Sequence, residues 1–243
     1  MLHLNLKICL MQIKRIFLGI VVALTLNSCI HTIEGSGDVV NEKRAVSSFS
    51  KIDISGSFQV ILNQGDTEKL ELEVDENLLG LIKTEVKNNT LYISSKKSIG
   101  NAESLNLYIT TVNVNEIEAS GAINLKNKGT YRADNLEIDI SGAAEVDLEL
   151  DVENLTMGMS GASETTLSGV ANNFDIEISG AGELQAKKLK TRNTTIAISG
   201  AGSATVYAKK TLNIEVSGAG SVQYKGSPKV VKSISGAGSV KRL

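Results

Sequence analysis

Apolar and polar residues alternate along most of this chain, and the alternation restarts after every Ser-Gly pair. Leu136-Glu-Ile-Asp-Ile140, Leu155-Thr-Met-Gly-Met159, Phe174-Asp-Ile-Glu-Ile178, Thr194-Thr-Ile-Ala-Ile198 and Leu212-Asn-Ile-Glu-Val216 each lead into one. A period of two predicts a strand with one buried face. Beyond the pair, Val146, Leu148 and Leu150 continue the inward set, as do Leu184 with Ala186, Ala204 with Val206, and Val222 with Tyr224. A second strand therefore follows every turn. Met157 and Met159 fall in inward slots and read as core. Only Glu76 to Lys83 looks helical, and it is short.

The turns repeat as well. Ser-Gly-Ala-Gly, or a close variant, begins at Ser120, Ser141, Ser160, Ser179, Ser199, Ser217 and Ser235, at intervals of 21, 19, 19, 20, 18 and 18 residues. A period near 19 marks a stacked repeat. A unit that short cannot bury its own apolar face and must stack on its neighbours. Gly121, Gly142, Gly161, Gly180, Gly200, Gly218 and Gly236 suit corners that need positive φ or close backbone approach. Ser and Ala fit a tight corner, and the Ser hydroxyl can satisfy a backbone group there. A hairpin meander would reverse direction at each turn and would not stack like residues at one period. The expectation is an all-β fold, a parallel β-solenoid (β-helix) with rungs of about 19 residues.

The regular rungs span 120–243. Residues 38–119 read as irregular rungs of the same domain, since Lys51-Ile-Asp-Ile-Ser-Gly56 obeys the same rule. The interval from Ser55 to Ser120 predicts about three rungs with insertions, at an end made atypical by capping. Residues 29–37, with Gly35-Ser-Gly37, read as a tether.

Residues 1–28 read as a lipoprotein signal peptide. Lys14 and Arg15 precede an apolar run from Ile16 to Leu26, which ends in Leu26-Asn-Ser-Cys29. That order is a secretory pattern, and the final four residues resemble a bacterial lipobox with Cys29 as the lipidated residue. The run falls short of the ~20 residues that span a bilayer. An ordinary cleaved signal is the other reading, and Met11 is a second candidate start.

Composition narrows the chemistry. The chain has two cysteines, of which Cys9 lies in the signal, so the mature protein has no internal disulfide. Of 25 Lys and Arg, Lys7, Lys14 and Arg15 are lost with the signal, leaving 22 against 27 acids. That balance argues against nucleic acid as a partner. The one histidine kept, His31, lies in the tether. Ser-His-Asp or Cys-His catalysis and a His-based zinc site are therefore excluded from the folded body.

Five features carry a family resemblance: Gly35-Ser-Gly37, Phe49-Ser-Lys-Ile-Asp-Ile54, Asn77-Leu-Leu79, Thr90-Leu-Tyr-Ile93 and the run of turns to Ser235. Over residues 35 to 243 the chain resembles the putative auto-transporter adhesin, head GIN domain family of Bacteroidetes-type bacteria. The resemblance implies a single-stranded β-helix on a lipoprotein and brings no catalytic residues with it.

Stacking places equivalent residues ~4.8 Å apart, and two outer columns become acidic. Before the turn, Glu118 should stack on Asp139, with Glu116 on Glu137 beside them. After it, Glu145, Glu164 and Glu183 fall 19 residues apart. Three readings stand. Such columns are a solvated sheet face, a weak cation site for Ca²⁺, or the groove of a polysaccharide lyase. Ser203, Ser221 and Ser239, beside Thr166, Gln185, Thr205 and Gln223, form a hydroxyl and amide ladder suited to a glycan or to plain surface. Tyr131, Tyr207 and Tyr224 are the available aromatics, and the chain lacks Trp. The expected protein is a non-enzymatic, lipid-anchored binding, adhesin-like or scaffolding module. It would sit in the cell envelope at the outer membrane, with the membrane as partner through its anchor and an envelope protein or glycan beyond it. A polysaccharide-active enzyme and an envelope-stress regulatory partner are the alternatives.

Overall fold

Ile138, Met157, Ile176, Ile196 and Ile214 stand side by side in one inward column, each at most 4% exposed. They belong to strands β8 (Tyr131–Gly142), β9 (Glu145–Gly161), β10 (Glu164–Gly180), β11 (Glu183–Gly200) and β12 (Ser203–Gly218). The computed structural model describes residues 32–243. Each strand pairs in parallel with the next, and serine lies against serine and glycine against glycine at every turn. Like residues meet because each rung has nearly the same length. Backbone donors and acceptors are satisfied by the rungs on either side, and the inward aliphatic columns bury apolar surface worth ~25 cal/mol per Å². The fold is a parallel β-solenoid.

The corners explain the glycines. Gly121, Gly142, Gly161, Gly180, Gly200, Gly218 and Gly236 all have positive φ, as does Gly56. At Gly180, with φ of 114°, an added Cβ would lie 2.7 Å from the carbonyl oxygen of Gly161 on the rung below. That carbonyl accepts a hydrogen bond from the Ala181 amide at 3.0 Å. A side chain there would be strained by its own backbone and would press into this ladder.

A second ladder runs along another corner. Asn154 donates to the side-chain oxygen of Asn135 at 2.9 Å, Asn173 to that of Asn154 at 2.8 Å, and Asn193 to that of Asn173 at 2.9 Å. Thr211 ends it by donating to Asn193 at 2.8 Å. All five stand six residues before a turn serine.

The N-terminal third departs from the sequence expectation. Strand β2 (Lys51–Gln64) pairs directly with β7 (Glu116–Lys128), with Ser55 against Ser120 and Gly56 against Gly121. The interval between them therefore does not hold three rungs. It holds one rung, built from β5 (Thr90–Ser95) and β6 (Leu105–Thr111), which docks on the side of β2 away from β7. The rest is antiparallel: β1 (Val39–Arg44) pairs β3 (Lys69–Asp75), β3 pairs β6, and β4 (Ile82–Lys87) pairs β5. The β4–β5 hairpin turns through Asn88 and Asn89, both at positive φ, which matches the twist of the flanking strands. The predicted helix shrinks to α1, Glu76–Leu79. These antiparallel strands cap the end.

The expected tether is corrected at its C-terminal side. Ile33 bridges Ile99, the Gly35 amide donates to Asn101, and Asn77 donates to the Glu34 carbonyl. The fully buried Asp75 carboxylate accepts from the amides of Gly37 and Ser104, each at 2.9 Å. Residues 33–37 are thus bound to the body, because their backbone amides and carbonyls pair with groups there. The signal peptide, Cys29 and His31 lie outside the described residues. Among the described residues no helix is long and apolar enough to cross a membrane.

At the other end, β13 (Ser221–Lys225) pairs β12 and β15 (Ser239–Arg242), and β14 (Lys229–Gly236) pairs β12. Lys232 stands in the inward column, against Ile214.

Candidate functional site

The acidic column before the turn is longer than the sequence suggested. Because β2 lies against β7, Asp53 aligns with Glu118, and Glu118 with Asp139. Glu116 and Glu137 form the neighbouring pair. Lys51 closes the end of that pair through an ion pair with Glu116, which holds the lysine pKa above its ordinary value. Partial desolvation pushes the Glu118 carboxyl upward, and the charges of Asp53, Glu116 and Asp139 add to it. Asp53 and Lys51 escaped the sequence reading because three rungs were expected between them and Glu118. Gly158 interrupts the column before Glu177, and the Asp139 carboxylate occupies the space its side chain would fill. The result is an open groove of about 270 Å³ between these carboxylates and the turn serines.

Glu145, Glu164 and Glu183 form their own column on consecutive rungs, all exposed. Glu145 accepts from Asn124 at 2.9 Å and lies 3.7 Å from the Lys126 ammonium. Glu183 accepts from Gln185 at 2.6 Å. The column continues as Ser203, Ser221 and Ser239. Among the described residues no three acidic, His or Cys side chains converge on a metal-sized position. Carboxylates set one per rung on an exposed strand point outward side by side rather than toward a common centre.

The aromatics divide. Tyr131 is 2% exposed; its hydroxyl donates to the Val114 carbonyl and accepts from the Val114 amide. It is core and unavailable to a ligand, which corrects the sequence reading. Burial raises its phenol pKa. Tyr207 and Tyr224 are half-buried.

A second, roomier groove went unread in the sequence. A groove of about 1020 Å³ runs over β8 to β12. Asp134, Asp151 and Glu153 line one end, and Lys190, Arg192, Lys209 and Lys210 line the other. The basic end is built by an irregularity in strand pairing. Thr191 pairs Ala208 and Asn193 pairs Thr211, so Arg192 faces two residues, Lys209 and Lys210. A bulge of this kind re-aims side chains. Its signal is visible in hindsight: two successive intervals of 20 and 18 residues around Ser199, with lysine pairs in both rungs.

A parallel β-solenoid with repeated, in-register polar columns on its exposed strands defines a class of stacked-rung surface. The chain belongs to the family described as putative auto-transporter adhesin, head GIN domain, which it matches over residues 48–228. Its structure is similar to that of a protein from Bacteroides fragilis named a putative adhesin. The two share 26% identity with a TM-score of 0.80, over 87% of this chain and 100% of that one. A Parabacteroides distasonis protein named a putative lipid binding protein shares the fold at 22% identity and a TM-score of 0.72, over 87% and 99% of the two chains. A putative adhesin from Parabacteroides merdae shares it at 22% identity and 0.64, with the same coverage. No curated protein matches the chain.

Proposed function

We propose that this protein is a non-enzymatic, adhesin-like binding module of the cell envelope, anchored by acylated Cys29 to the outer membrane. Family membership and the 26% identical neighbour named as an adhesin support the first part. The carrying observation is the set of exposed columns that repeat rung by rung. A stiff ladder of equivalent side chains suits contact with an extended partner, since each rung offers the same groups at a fixed step. Proton-transfer catalysis needs a carboxyl pair held in a pocket with separated pKa values. Glu145, Glu164 and Glu183 lie one per rung on an exposed strand face, and the groove holding Asp53, Glu118 and Asp139 is open to water. The anchor reading rests on Leu26-Asn-Ser-Cys29.

Cells producing the protein are expected to bind a host or envelope glycan surface that cells lacking it do not. Cys29→Ser is expected to move the protein from the membrane to the soluble fraction and to abolish that binding. Equal fractionation of variant and wild type would remove the anchor. Steady product release from pectin or alginate, lost in Glu164→Gln, would replace the binding module by an enzyme.

A further inference from the structure

Charge is segregated along this chain. From Glu183 to Leu243 there are eleven Lys and Arg against two acids, Glu183 and Glu215, although the whole chain is formally −2. The salt bridges among the described residues all lie between Glu42 and Asp151. Lys190, Arg192, Lys209 and Lys210 therefore have no carboxylate partner there. At the opposite end of the groove two of the three acids are already engaged. Asp151 pairs with Arg132 at 3.5 Å, and Glu153 accepts from Asn172 at 2.7 Å. The fold gains nothing from crowding Arg192 against Lys209 and Lys210, because like charges at strand spacing repel.

The next rung extends the same surface. Lys225 aligns with Tyr207, and Lys229 with Thr211, so one lysine flanks the bulge on each side. All six cations are exposed. Beside them, Tyr207 offers a half-buried ring, and Val170 is 50% exposed in the same groove. Rungs β11, β12 and β13–β14 follow one another at ~4.8 Å, so cations recur along the groove at a step a chain of repeated anionic groups can follow.

We propose that this groove binds an anionic polysaccharide, with Arg192, Lys209 and Lys210 holding its sulfate or carboxylate groups and Tyr207 packing on a sugar face. Arg supplies a planar fork for two oxygens of one group, and the lysines act as point charges. A groove bordered by one half-buried tyrosine ring fits a single sugar chain better than a flat bilayer. The proposal rests on the binding-module reading and gives it a site and a ligand class.

Binding is measured with the purified chain lacking residues 1–28 and Cys29, against three fluorescent hexasaccharides: heparin-derived, oligoguluronate and maltohexaose. Retention of at least one anionic probe and none of maltohexaose is expected. Preference between the two anionic probes assigns sulfate or carboxylate as the recognised group. The double variant Lys209→Glu/Lys210→Glu should weaken the anionic probe more than tenfold, and Arg192→Gln should weaken it several-fold with unchanged thermal unfolding. Glu85→Gln, on the exposed face of cap strand β4, should bind as wild type. Rising salt should weaken binding, because exposed charges are screened. Wild-type affinity in both groove variants overturns the proposal, as does absence of binding to both anionic probes. Tighter binding to phosphatidylglycerol vesicles or duplex DNA than to either saccharide also overturns it, in favour of those surfaces. If cells adhere while the purified chain ignores both anionic probes, the binding-module reading survives and this site does not.

Discussion

Ser120 lies directly against Ser55 on the neighbouring rung, although 65 positions separate them in the chain. The intervening residues leave the solenoid, build its cap, lay down β5 and β6 on the far side of β2, and return. Rung order along the axis therefore differs from chain order at this end. A loop of that length costs little more to close than a shorter one, since the penalty grows only with the logarithm of length. Strand β2 ends up covered on both edges, and the cap shields the exposed side of the first rung.

Asp75 is the staple of that cap. Hydrogen bonds from the Gly37 and Ser104 amides hold its carboxyl below the ordinary carboxylate range. A carboxyl whose folded pKa is depressed stabilises above its unfolded value, about 3.9, and loses that effect as pH falls through the lower folded value. Asp75→Asn turns one acceptor into a donor facing amide donors. It is expected to lower the melting temperature at pH 7 and to speed hydrogen exchange at Gly37 and Ser104. The gap from wild type should narrow below about pH 4. Equal melting at pH 7 would mean the staple contributes nothing.

The asparagine ladder makes a separate prediction. Asn173 is half-buried and donates to Asn154 while accepting from Asn193. Removing it breaks two hydrogen bonds and leaves neighbours partly unsatisfied. Asn173→Ala should cost about 1–3 kcal/mol in urea unfolding. Asn172→Ala, which loses one contact to Glu153, should cost less. Equal effects of the two substitutions would show that the ladder adds nothing beyond local polarity.

The repeat was legible because its cause is mechanical. Each Ser-Gly marks a place where the backbone turns at positive φ, and each alternation marks an inward column. Strand direction also followed, since only a coil stacks like residues at one period. The antiparallel cap was not legible. Lys69–Asp75 and Leu105–Thr111 alternate like any rung, and alternation is the same for parallel and antiparallel partners. Position before the turn placed Glu118 beside Asp139, but Asp53 joined them only through the long return of the chain. The basic groove was hidden for another reason. Repeat logic reads shared positions, and a bulge is a departure from them.

The turn corners give the strongest single-site prediction. At Gly180 a valine would combine a forbidden φ of 114° with a Cβ 2.7 Å from the Gly161 oxygen. Gly180→Val should destabilise by about 3 kcal/mol or more. Glu164→Gln, on an exposed strand face, should shift stability by no more than about 0.5 kcal/mol. Thermal unfolding of both proteins decides the matter. An unchanged Gly180→Val midpoint would remove the shared-corner account of the fold.

Lys232 bears on the open end of the rod. Its position belongs to the inward column, where the rung below carries Ile214 at 4% exposure. An apolar residue would bury more surface against that isoleucine, so the lysine is a cost to the last rung. Beside it, Val231 and Ile234 are 58% and 39% exposed, and the outer edge of β14 has no strand partner among the described residues. An unpaired apolar edge is a template for another chain, and an inward charge is one way to discourage such pairing. Lys232→Ile should therefore raise or preserve the melting temperature while making sedimentation concentration-dependent, as the ends of two rods meet. Lys232→Gln, which removes the charge but keeps a polar head, should lie between. If Lys232→Ile sediments as wild type does from micromolar to submillimolar concentration, the lysine is not what keeps this edge unpaired.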